Sequence, residues 1–254
     1  MSADITGLLD AWAYDPESNV RKIKGADGVA KIQVRVDQGA FQGILQLNLD
    51  GRPDGRRPHD HDFALDHYTA ALKDHRATHG GSDQDFHLDR EVCKELFDES
   101  SRIYGRYVFL LQIKEYHRVV RDTERNMALF RFVNRYAAHE DDRNNLEKWW
   151  PYILRIDATA RAMLAVEEDD FDHAIGRLNR ARRSIEDLDD VDAEEFHAER
   201  ERSIQALDEL VEELTGRRPL SEKERLRQEL ETAVSREEFE RAAELRDQLN
   251  QLDD

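Results

Sequence analysis

The chain has 254 residues, 39% of them hydrophobic and 37% charged, with a formal net charge of −18. That length holds one large domain or two modest ones, and three Trp among 8% aromatics argue against wholesale disorder. The acidity argues against direct binding of nucleic acid or of an anionic bilayer, because both need surfaces rich in Lys and Arg.

The excess charge lies at one end. Residues 189–254 hold 22 acidic and 10 basic side chains. Such a surface would attract a basic protein, mostly by speeding encounter. The opening "MSADITGLLDAWAYDPES" lacks the basic and apolar regions of a signal peptide, and no apolar run is long enough for a membrane span. The single cysteine, Cys93, allows no intrachain disulfide, which fits a reducing compartment. A cytoplasmic protein is expected.

In chain order, the first sixty residues differ from the rest. They hold three of the five prolines and most of the glycines. "KIQVRVD" (31–37) alternates Ile32, Val34 and Val36 with polar residues, the period of a strand with one buried face. "QGA" supplies a turn, and "GILQLNLD" (43–50) alternates Leu45, Leu47 and Leu49. The two predict a β-hairpin, which is marginal alone and should pack on a helical body. "DGRPDGRRP" (50–58) reads as turns.

From residue 62 the pattern is helical. Helices are expected over 62–75, 90–116, 122–137, 149–169, 170–188 and 192–214, the last stopped by Gly216 and Pro219. Short connections imply antiparallel neighbours. Residues 160–185, with Ala174 and Ala181 seven apart, resemble part of a tetratricopeptide-type repeat, although an ordinary helical hairpin explains them equally. The fold class is mainly α, in three segments. These are a β-hairpin and turn-rich region (1–61), an antiparallel helical array (62–216) and a terminal helical hairpin (219–254).

The tail divides at Ser235. Leu226, Leu230, Ala233 and Val234 form one apolar face; Phe239, Ala242, Ala243, Leu245, Leu249 and Leu252 form another. Ser235 and Glu238 have the spacing of a capping box. A hairpin this small buries little apolar surface and needs a neighbour. The order Leu226, Leu230, Ala233, Phe239, Glu240, Ala242, Ala243, Leu245, Arg246, Asp247, Leu249 resembles the UVR motif, named for the bacterial excision-repair proteins UvrB and UvrC.

The resemblance implies a non-catalytic hairpin for protein–protein contact, often with another copy of the motif. The implied partner is another protein, one carrying a UVR-type hairpin or a second copy of this chain. In that role Phe239 would be the anchor and Ala242 with Ala243 its seat, beside Leu230 and Leu249. Arg246 and Asp247 would make polar contacts at the rim, unless they simply pair along the helix. The phosphate loop of a helicase is absent from the sequence.

Other clusters have weaker readings. Arg52, Arg56 and Arg57 could hold a phosphate or carboxylate, or simply pair with nearby Asp side chains. His59 and His61, with Asp60, Asp62 or His67, could chelate a metal. The plainer reading is a polar turn in which Asp62 caps a helix. "HEDDR" (139–143) lacks the second His of a zinc-protease helix. Trp149 and Trp150 read as core, and Cys93 as a small buried residue. No catalytic residue, cofactor or metal is expected. The expected role is an adaptor or regulatory protein; the alternative is a ligand-binding enzyme or repair-associated factor using residues 52–67.

Overall fold

The strand expected over residues 31–37 forms as β2 (Ala30–Gln38), and its return as β3 (Phe41–Asn48). Gly39, at φ 58°, makes the left-handed bend between them. The computed structural model describes residues 4–220 and 222–251. A single helical turn, α1 (Thr6–Asp10), precedes a strand that periodicity did not reveal, β1 (Val20–Lys24). The expected hairpin is therefore a three-stranded antiparallel sheet of order β1-β2-β3, with Val20 opposite Val34 and Val34 opposite Leu45. Its buried face carries Ile32, Val34 and Leu49; Leu45, expected on that face, is exposed.

The helices follow as α2 (Ala64–Thr78), α3 (Arg90–Gln112), α4 (Tyr116–Tyr136), α5 (Glu140–Glu147), α6 (Trp150–Glu167), α7 (Phe171–Glu186), α8 (Glu194–Arg217), α9 (Glu222–Ser235) and α10 (Phe239–Gln251). α5 was not expected from the sequence, α2 runs three residues further than expected, and other boundaries shift as well. α3 stops earlier, α4 starts six residues sooner, and α8 continues through Gly216. None of the described helices is long and apolar enough to cross a membrane.

The chain divides into two compact units, Met1–Val211 and Glu212–Asp254. In the first, Ile32 and Leu49 of the sheet side share a core with Ile103, Tyr107, Leu110, Val119 and Ile156. A second core gathers Cys93, Leu96, Leu129, Val133, Leu146 and Ile153. Between α6 and α7, alanines let the backbones approach: Ala158, Ala160, Ala162, Ala165 and Ala174 are all buried. No 34-residue echo of this pair appears in the sequence.

Four of the described helices end on one device, α2 through Gly80 and three others without glycine. After α3, α6 and α9 the chain bends through a left-handed residue, Lys114, Asp169 and Glu237, with φ near 60°. In each, the next N–H reaches back five residues, from Glu115 to Leu110 O, Asp170 to Ala165 O and Glu238 to Ala233 O, all at 2.9 Å. This is the Schellman stop, in these three built without glycine.

Candidate functional site

The second unit contains the hairpin of α9 and α10. Leu226 and Ala233 from α9 pack on Ala242, Leu245 and Leu249 from α10, with Leu230 half-buried beside them. These residues recur at i, i+3 and i+7 along α10, so one stripe fills the seam. Leu252, assigned to the same stripe from the sequence, lies outside the described residues. The expected capping box does not form. Ser235 ends α9, and its hydroxyl donates back to Thr232 O at 2.8 Å. Glu237 instead makes the left-handed stop, and Glu238 O accepts from Ala242 N–H at 3.0 Å to begin α10.

The seam accounts for only part of the apolar surface. Phe239 is 70% exposed and Val234 is 53% exposed. Ala242 is buried in the seam, whereas Ala243 is exposed on the next stripe. Phe239, Ala243, Arg246 and Asp247 stand at i, i+4, i+7 and i+8 and so share a face of α10. Arg246 and Asp247 lie 3.7 Å apart as a solvent-exposed ion pair. Of the sequence-derived set, Leu230, Ala242 and Leu249 therefore belong to the seam, while Phe239, Ala243, Arg246 and Asp247 face outward.

In the first unit, the Arg/His stretch is bound into the fold. Arg52 is buried, its Nε 3.1 Å from Glu99 and its Nη1 3.0 Å from Asp54. Arg57 pairs with Asp62 at 3.3 Å, and the Arg56 backbone N–H donates to Asp54 at 3.1 Å. Asp62 does not cap α2. The fully buried Glu99 carboxylate does, accepting from Ala64 N–H at 2.7 Å and Leu65 N–H at 3.1 Å. Glu99 lies some 35 residues away in sequence, so no local pattern marks it.

His59, His61 and His67 do converge. The His59 and His67 rings stack at 4.2 Å, and His61 meets His67 edge-on at 5.4 Å. Glu95 accepts from Tyr68 at 2.7 Å and contacts His59 Nε2 at 3.0 Å. Burial, and then the charges of His59 and His61, hold the His67 imidazole below its usual value. Burial opposes ionisation of Glu95, but hydrogen bonds from Tyr68 and His59 outweigh it and its pKa is lowered. Among the described residues, no group of three or more His, Cys, Asp or Glu side chains is placed to hold a metal ion. Tyr68 and Glu95 were not legible as members of this cluster.

Cys93 is a buried core residue, and burial pushes its thiol up to about 11. It is therefore a poor nucleophile at neutral pH. Trp150 packs against the core, but Trp149 is 38% exposed, so the expectation that both are core holds for one only.

No curated protein and no solved structure matches the chain. The family model described as the UvrB/uvrC motif matches residues 221–254, and those residues coincide with α9 and α10. The C-terminal end of this chain thus carries a UvrB/uvrC motif.

Proposed function

We propose that this protein is a non-enzymatic adaptor or regulatory subunit that docks onto another protein through its C-terminal hairpin. The observation that carries this reading is the 70% exposure of Phe239 on a hairpin whose seam is already filled by five other residues. A large aromatic held outward on a rigid helix is the usual form of an interface anchor. Ala243 beside it lets a partner helix approach, and Arg246 with Asp247 adds polar contacts at the edge. Residues 219–254 form the docking module in this reading, and 1–216 the body it serves.

The partner proposed is a protein carrying a hairpin of the same type, since the exposed stripe on one copy is the same kind of surface as on the other. The single buried cysteine supports a cytoplasmic setting. The test is removal of the hairpin. A chain ending at Arg218 should keep the helical circular dichroism of α2 to α8 and lose capture of a UVR-motif protein. Undiminished capture by the shortened chain would refute the reading.

A further inference from the structure

The first unit holds a cavity of about 320 Å³ framed by α3, α4, α6 and α8. Its wall is aromatic: Phe97, Tyr104, Tyr107, Phe130, Trp149 and Tyr152. Tyr104 meets Tyr107 edge-on at 5.5 Å and Tyr152 at 5.6 Å, so three of the rings brace one another. At 45% and 38% exposed, Tyr104 and Trp149 reach solvent and form the mouth. A volume of this order suits a small organic molecule.

Two of the polar groups on the wall are deeply buried acceptors. Asn126 is 1% exposed. Its amide nitrogen donates to Ser100 O at 3.1 Å, which fixes the orientation of the amide. The other atom, Oδ1, is buried and meets no donor in hydrogen-bond geometry, although the Tyr107 hydroxyl interacts with the same amide group. A buried acceptor of this kind costs stability until a donor meets it. Glu199, 7% exposed, is the one charged side chain on the wall. Its Oε1 accepts from Arg155 at 3.1 Å and Ser203 at 3.2 Å, while its Oε2 lies 3.8 Å from Arg202. The rings favour cations too. Lys148 sits 5.5 Å from the Trp149 ring centre and Arg155 4.9 Å from that of Tyr152.

We propose that this cavity is a binding site for a small organic amine, a compact apolar body bearing a nitrogen that donates hydrogen bonds. Asn126 Oδ1 accepts from that nitrogen, Glu199 supplies the compensating negative charge, and the aromatic faces hold both the apolar body and the cation. An anionic ligand faces two buried acceptors, Asn126 Oδ1 and the Glu199 carboxylate. A neutral one satisfies Asn126 Oδ1 but draws nothing from the Glu199 carboxylate.

The full-length protein is titrated with phenethylamine, phenethyl alcohol and phenylpropionate, followed by intrinsic tryptophan fluorescence and by thermal shift. Phenethylamine is expected to bind saturably, and the other two to bind markedly more weakly. Asn126→Leu keeps the shape and removes the acceptor; Ser100 O retains its place in the α3 hydrogen-bond ladder. It should weaken amine binding about tenfold or more. Tyr104→Ala, at a position 45% exposed, should weaken it as well and carries the test if Asn126→Leu does not fold. Absent amine binding, equal binding of all three probes, or full amine affinity in every folded variant would overturn the proposal.

Discussion

Arg106 and Asp122 form a bidentate ion pair at the centre of the first unit, with Nε–Oδ2 and Nη2–Oδ1 both at 2.7 Å and both side chains almost fully buried. Arg106 also donates through Nη1 to Asn48 O at 3.0 Å and Gly51 O at 2.6 Å. One guanidinium therefore joins α3, α4 and the loop leaving β3. Removing the carboxylate strands a buried cation, which costs about 3–5 kcal/mol. Asp122→Asn should lower the urea midpoint by a corresponding amount with an unchanged m-value.

The left-handed residues between helices give a prediction of opposite sign. Asp169 at φ 60° adopts a backbone conformation that glycine reaches without strain. Asp169→Gly relieves about 1–2 kcal/mol of left-handed strain and adds about 0.4–1 kcal/mol of opposing unfolded-state entropy, so the melting temperature should rise slightly. No change, or a loss, would show that the Asp side chain itself supports the turn.

Acid stability should depend on Asp83. Arg76 foremost, then the Tyr136 hydroxyl at 2.7 Å, hold its carboxyl at about 2, below the ordinary 3.8. Arg135 adds a contact at 2.8 Å. The folded-state pKa is depressed, so the contribution is complete above the ordinary value and is lost as pH falls towards about 2. Asp83→Asn should destabilise at neutral pH, and its urea midpoint should converge with that of the parent chain near pH 2. His67, also lowered, acts with the same sign from its ordinary 6.5 downward.

These particulars show what a sequence carries and what it hides. The alternation of Ile32 and Val34 announces β2, because a half-buried strand needs period two. β1 was hidden, because "VRKIK" has only Val20 and Ile23 to mark it. The early start of α4 was hidden too. Lys114 makes its preceding turn without Gly or Pro, and α4 buries Asp122, Thr123 and Asn126 where an apolar pattern would be sought. The hairpin was legible as two faces split near Ser235. Its turn was not, since Ser235 and Glu238 fit a capping box while a left-handed Glu237 closes the chain differently. The His cluster depends on Glu95, far away in sequence, and so was only half visible.

Docking through an acidic surface should respond to salt. Residues 189–254 carry the bulk of the excess negative charge, and exposed charges are screened within about 3 Å at 1 M salt, against about 10 Å at 0.1 M. The association rate with the partner should fall as ionic strength rises, in stopped-flow or surface-based kinetics. A rate indifferent to salt would exclude electrostatic steering.

The most direct test of docking is Phe239→Ala in the full-length chain, compared with the parent for affinity towards a UVR-motif protein by isothermal titration. Burying an exposed Phe contributes about 1.5–3 kcal/mol. The variant should therefore bind roughly ten- to a hundredfold more weakly, with its melting temperature unchanged because the ring lies outside the seam. Equal affinity of variant and parent would contradict the account.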